Sequence, residues 1–159
     1  KINNKEFYSN WYKVATDEAK HFQLLTNQLI SNNSFYGELP AHNSLWETAN
    51  KTSNNILERL AIIPMFFEAR GLDATPSIIK KLKSKNYLQL CNILTTIYDD
   101  EINHLQIGVY WFERICLENK IDPIKEWKKI IEKHIKKLPE GSLNIHAREQ
   151  AGMNKAYWS

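Results

Sequence analysis

Glycine and proline are scarce, five of each in 159 residues, which argues against a disordered segment and against a turn-rich all-β design. Cysteine is scarcer still. Cys91 and Cys116 are too few for a disulfide framework, and each falls in an apolar helical pattern that suits a reduced, packed thiol. No apolar run approaches the roughly 18 residues needed to span a bilayer, and the N-terminus has no apolar stretch of the signal-peptide kind. The expected setting is therefore the reducing cytoplasm, without a membrane partner. An excess of one charge is also missing: a formal +3 permits an acidic partner such as nucleic acid without requiring one.

What is present is 43% hydrophobic and 25% charged residues, enough chain for one core and a single domain over 1–159. Phe7, Trp11, Val14, Glu18, His21, Leu25 and Gln28 step by four and three, one seam of a helix over about 5–31. Asn32 to Asn43, with Gly37 and Pro40, reads as a loop. A long helix over about 44–71 follows, with Leu57, Ala61, Pro64 and Glu68 on one seam; Pro64 should kink it and Gly71 should stop it. Asp73 to Ser77 reads as a turn, with Pro76 opening a short helix through Leu82. Leu90, Leu94, Ile97, Glu101, His104, Gly108, Trp111 and Ile115 then mark a helix over about 87–118. Pro123 begins a last helix to about 137, and an irregular strap covers 139–159. No convincing alternating pattern appears, so the fold class is all-α.

The chemistry lies in a doubled motif. Asp17-Glu18-Ala19-Lys20-His21 and Asp100-Glu101-Ile102-Asn103-His104 share one spacing. Residues three apart are about 60° apart around a helix and about 4.5 Å apart along it, so the glutamate and histidine of each motif project together. Two such helices face to face give each of two metals a histidine, with glutamates between them. The preceding Asp17 and Asp100 suit a supporting role, accepting a hydrogen bond from the imidazole nitrogen that does not bind metal. Two copies of Asp-Glu-x-x-His should arise by chance on the order of once in ten thousand chains of this composition. Unpaired glutamates and histidines on apolar seams would cost several kcal/mol each, which a dication relieves. A buried Glu/His hydrogen-bond network without metal is the alternative. Glu68, among Phe66, Phe67, Ala69 and Leu72, is the third-helix carboxylate, its alternative being a salt bridge to Arg70 or Arg59. Glu58 and Glu47, with polar neighbours, read as solvated or outlying groups.

The stretches DEAKHF (17–22), YGELPAHNSLW (36–46), RLAIIPMFFEARGLD (59–73), DEINH (100–104) and NIHAREQAGM (144–153) resemble the ferritin-like di-iron carboxylate superfamily, and within it a bacterial group of unknown function. Glu68-Ala69-Arg70 also resembles the ligand helix of the tRNA-hydroxylating di-iron enzymes. The resemblance implies a ferritin-like antiparallel bundle holding two metal ions, iron or manganese, on Glu18, His21, Glu68, Glu101 and His104. It also implies a further glutamate on a first helix, whereas this chain begins on what would be the second. A chain that starts at Lys1 rather than Met fits a beginning that lies elsewhere, and the expectation is a site partly or wholly empty of metal.

Such a site suits activation of oxygen or peroxide. The first expectation is an oxygen- or peroxide-dependent oxidoreductase acting with a small-molecule substrate or electron donor. The second is an iron-handling or peroxide-scavenging protein, and the third an RNA-modifying hydroxylase using Lys125, Lys128, Lys129, Lys133, Lys136 and Lys137 on phosphates. His42, in the Gly37–Pro40 loop, stands either at a substrate mouth or free in solvent. Tyr98 and Trp111 near the ligand seam serve electron transfer or ordinary packing. Arg148 and Glu149 pair with each other or with the bundle. A homodimer is left open.

Overall fold

A computed structural model of the chain describes residues 4–135 and 141–158. Among the described residues all regular structure is helical: α1 (Lys5–Ser31), α2 (Ser44–Lys51), α3 (Ile56–Ile62), a π segment (Ile63–Glu68), α4 (Ala69–Ser84), α5 (Leu88–Glu118), α6 (Pro123–His134), α7 (Ile145–Gln150) and a 3-10 turn (Lys155–Tyr157). Packing is that of a helical bundle. Helix α5 is its centre, touching α1, α3, the π segment, α4, α6 and α7.

Local chemistry explains the ends of these helices. Asn4 caps α1, its Oδ1 accepting from the backbone N–H of Glu6 and Phe7, and Asp122 caps α6 just before Pro123, which needs no donor at that position. The buried faces of α3, the π segment and α5 meet through Leu60, Ile62, Met65, Leu105, Val109 and Phe112, and Trp127, Ile130 and Ile131 of α6 close over them. No described helix is long and apolar enough to cross a membrane.

The helix expected over 44–71 is divided. Thr52 to Asn55 break it, and Asn55 starts α3 by accepting from Leu57 N and Glu58 N. Arg59 ties the two pieces together through Thr52 Oγ1 at 3.0 Å and the Ala49 carbonyl at 2.5 Å. The chain then widens into the π segment at Pro64, which has no N–H for the Leu60 carbonyl and whose ring crowds the turn before it; a wider turn accommodates both. The kink expected at Pro64 is this extra-wide turn.

Gly71 does not end the helix, and 73–77 is not a turn. Helix α4 runs through both and through Pro76. The reason is tertiary. Pro76 leaves the Leu72 carbonyl without its donor four residues on, and Asn144 Nδ2 supplies one at 3.1 Å. The neighbouring Gly71 carbonyl receives the Thr75 hydroxyl at 2.8 Å. The strap is likewise more ordered than expected, with α7 and the 3-10 turn burying Ala147, Ala151, Met153 and Tyr157. Residues 136–140, including the last two lysines of the basic stretch, lie outside the described residues.

Candidate metal centre

Helices α1 and α5 run antiparallel: Glu6 reaches Arg114 at 3.3 Å at one end, and His21 reaches Asp100 at 3.0 Å further along. Identical motifs on antiparallel helices face each other with their order reversed, and the structure shows the result. His21 Nε2 donates to Asp100 Oδ2 at 3.0 Å, and His104 Nε2 to Asp17 Oδ2 at 3.3 Å. Each imidazole is therefore held by the aspartate of the opposite motif. With Nε2–H committed, a neutral ring presents the Nδ1 lone pair inward. His104 Nδ1 lies 3.3 Å from Glu18 Oε1 and 3.5 Å from Glu101 Oε2, and His21 Nδ1 lies 3.7 Å from both Glu18 Oε2 and Glu101 Oε1.

Glu68 arrives from the π segment, off the axis that relates the two motifs. Glu18, Glu68, Glu101 and His104 each place one donor atom within 4.8 Å of all the others. His21, expected as a fifth ligand, is not in this group of mutually close donors; its Nδ1 approaches only the two motif glutamates, and its ring is 5.8 Å from that of His104. Both rings are buried, while the Glu18 side chain is half exposed and forms the open side.

Whether a metal suits these residues can be judged from the atoms left without partners. His21 Nδ1, His104 Nδ1, Glu68 Oε2 and Glu101 Oε2 are all buried with no hydrogen-bond partner, though native proteins leave few such atoms. His104 Nδ1 and Glu101 Oε2 lie 3.5 Å apart and Glu68 belongs to the same group of close donors, so a cation held there would satisfy several of these atoms together. The alternative for Glu68 is not formed: Arg59 is committed to Thr52 and Ala49, and Arg70 Nη1 reaches Asp73 at 3.1 Å. A hydrogen-bond network without metal would leave fewer of these atoms unpaired.

The electrostatics carry the same signature. Burial, aided by the charge of Glu101, pushes the Glu68 carboxyl up to about 8. Burial opposes a charge on His104, but contacts with Glu101, Glu18 and Asp17 outweigh it and carry the ring to about 10. His104 in turn holds Glu18 below the usual carboxylate range against the effect of burial. Asp100 is lowered too: its burial is more than offset by His21 and by Lys20, whose Nζ stands 3.3 Å away. Without a cation, protons partly neutralise this acidic cluster.

A cavity of about 670 Å³ adjoins the cluster, with Glu18, Glu68 and Glu101 in its wall and Phe7, Trp11, Ile63, Phe67, Leu72 and Ile97 supplying most of the rest. His42 is not in that wall; it is exposed, its Nδ1 2.8 Å from Ser44 Oγ at the start of α2. Tyr98 lines the cavity, and Trp111 is packed in the core against Phe7. Glu58, read from its neighbours as solvated, is buried and paired with Lys133 at 2.5 Å and His134 at 2.7 Å. Glu47 sits in the first turn of α2.

Sequence reasoning missed a second polar group behind the site. Arg148 grips Asp73 with two hydrogen bonds, Nε to Oδ1 at 3.1 Å and Nη2 to Oδ2 at 2.7 Å, and Asp73 Oδ1 also accepts from Asn144 N at 2.8 Å. Arg148 thus pairs with the bundle rather than with Glu149. The signal was the NIHAREQAGM stretch itself, but Asp73 lies more than 70 residues earlier.

These features define an all-helical protein with an inward-facing cluster of carboxylates and imidazoles beside an apolar cavity. The chain belongs to the family described as "Protein of unknown function (DUF455)", whose model matches residues 2–159. An "Uncharacterized protein" of Haemophilus influenzae is 36% identical over 149 residues, which cover 94% of this chain and 52% of the relative. The chain thus spans about half the length of the curated relative it matches. No solved structure gives a significant match.

Proposed function

We propose that the cluster is a carboxylate-bridged centre for two metal ions, iron or manganese, of the ferritin-like kind, and that the protein is an oxygen- or peroxide-dependent oxidoreductase acting on a small apolar molecule. The observation that carries this reading is that Glu68 and Glu101, each with a buried, partnerless carboxylate oxygen, stand in the wall of an apolar cavity, with the partnerless Nδ1 of His104 3.5 Å from Glu101 Oε2. When bound, such ions supply one-electron steps to oxygen or peroxide.

The chain's own residues do the rest. Glu18, Glu68, Glu101, His21 and His104 would hold the ions. Asp17 and Asp100 fix the tautomer and orientation of the two rings. In the metal-free protein Glu68 retains its proton at neutral pH, and that proton leaves as a cation takes its place. The aromatic and aliphatic wall favours an apolar guest, while the half-exposed Glu18 leaves one side of the cluster open to water.

Iron handling or peroxide scavenging would use the same donors; the cavity favours an organic substrate. The RNA reading draws least support, because Lys129 is paired with Glu126 and Lys133 with Glu58. The test is anaerobic iron(II) titration followed by oxygen. Two ions per chain are expected for the wild type and fewer than one for Glu68→Gln or His104→Ala, with oxygen consumed only by the loaded wild type. Less than one ion per wild-type chain would end this reading.

A further inference from the structure

Tyr98 stands one helical turn before Glu101 on α5, half-buried, and faces the same cavity as Glu68 and Glu101. Its hydroxyl is held by Asn144, and counting hydrogens on that amide shows where the phenol proton is free to go. Asn144 Oδ1 accepts from Ala147 N at 3.2 Å, capping α7. Its Nδ2 faces the Leu72 carbonyl at 3.1 Å and Tyr98 Oη at 2.8 Å. A carbonyl only accepts, so the atom facing Leu72 is the NH2 group, and its two hydrogens are spent on Leu72 and Tyr98. Tyr98 Oη is therefore an acceptor in this contact. Among the described residues nothing accepts its own proton.

We infer that Tyr98 is the hydrogen-bond donor that orients a ligand with an apolar body and a carbonyl or hydroxyl oxygen beside the carboxylate cluster, with Asn144 as the positioning residue that keeps the proton available. The surrounding wall sharpens the choice. Ile97, Leu72 and Phe67 are apolar, and the Thr75 hydroxyl has given its proton to the Gly71 carbonyl. An unclaimed phenol proton in such a wall rewards an acceptor oxygen, with the partnerless Trp11 Nε1–H as a second donor of the same cavity, whereas an amine would be drawn to Glu18, Glu68 and Glu101 rather than to Tyr98. The Leu72 carbonyl needs Asn144 because Pro76 cannot serve it, so the helix-internal proline, the strap and the cavity donor form one connected device.

This inference rests on the metal reading only for the identity of the neighbouring reaction centre, so the two can fail separately. The full chain is titrated with carbonyl-¹³C-labelled 2-octanone, with and without zinc(II), and zinc uptake is measured independently. Saturable binding is expected, with the carbonyl resonance displaced in the direction of hydrogen bonding. Tyr98→Phe, which removes one oxygen and keeps the ring, should bind the ketone about 3–10-fold more weakly and lose the displacement, as expected for one neutral hydrogen bond. Octylamine should show no dependence on Tyr98. Asn144→Ala frees the Leu72 carbonyl to take the phenol proton, so it should mimic Tyr98→Phe although the hydroxyl is still present. Absence of ketone binding in both zinc states, or equal affinity and an equal resonance in wild type and a folded Tyr98→Phe, overturns the inference. Failure of zinc to bind overturns only the metal reading.

Discussion

Gly108 and Pro64 meet so closely that no side chain fits between them: a Cβ built on Gly108 would lie 2.5 Å from Pro64 Cβ and 2.7 Å from Cγ. Gly108 is one turn beyond His104, and Pro64 one turn before Glu68, so this contact sets how near Glu68 comes to the motif on α5. A rigid proline ring cannot swing aside as a long side chain would. Gly108→Ala should destabilise the fold by about 1–3 kcal/mol through overpacking, read as a lower Tm. It should also weaken metal uptake more than an alanine placed on the exposed side of α5. Unchanged stability and uptake would show that the π segment yields more easily than its packing implies.

The aspartates behind the imidazoles should matter without being ligands. Asp17→Asn and Asp100→Asn keep shape but remove the charge that supports each ring. Metal affinity should fall about 10–100-fold in each while the number of ions bound at saturation stays the same. A loss of stoichiometry instead would make these residues ligands.

Asn144 and Pro76 are coupled through the Leu72 carbonyl, 3.1 Å from the asparagine amide. Asn144→Ala alone takes the amide donor from that carbonyl and the side-chain cap from α7, and should cost about 1–3 kcal/mol even where the Tyr98 hydroxyl turns to the carbonyl. Pro76→Ala restores an N–H within the helix. In the Pro76→Ala background the cost of Asn144→Ala should therefore shrink by about 1 kcal/mol, measured as a double-mutant cycle by urea unfolding. Strict additivity would sever the link.

Glu58 predicts an acid-sensitive step. The hydrogen bond from Lys133 holds its pKa below the ordinary 4.5 against the effect of burial, with His134 helping. A carboxylate whose folded value is depressed contributes stability that is present above about 4.5 and is lost as pH falls through the lower folded value. Lys133 is largely exposed, so screening limits the contribution to about 1 kcal/mol. Glu58→Gln should be less stable than wild type at pH 7, and the difference should narrow on acidification. A gap that is constant from pH 7 to pH 3 would remove the ion pair from the explanation.

The residues that carry the candidate centre stood out in the sequence because their signal is local: Glu18 and His21, like Glu101 and His104, lie three apart on apolar seams, and Glu68 sits in an apolar run. Helices α1 and α5 were legible for the same reason, with boundaries within a residue of those expected. The region from Ser44 to Ser84 was not. Gly71 and Pro76 are stop signals by local propensity, and what overrides them is an asparagine 68 residues beyond Pro76. Glu58 looked solvated because its near neighbours are polar, whereas its partners sit on α6. The strap had a pattern but no visible role, since Arg148 acts on Asp73 across the fold. Side-chain chemistry at short range was readable, and apart from the facing of the two repeated motifs partnerships across the chain were not.

The reciprocal hold of each imidazole by the opposite helix has a mechanical consequence. Sliding α1 along α5 by one residue would detach both rings from their aspartates at once, since the Nε2 of each ring is held from the opposite helix. Helix register and ligand geometry are thus a single degree of freedom. A cation clamped between them would act as a rivet against shear, so hydrogen exchange along the facing sides of α1 and α5 should slow together on loading, rather than only near the metal.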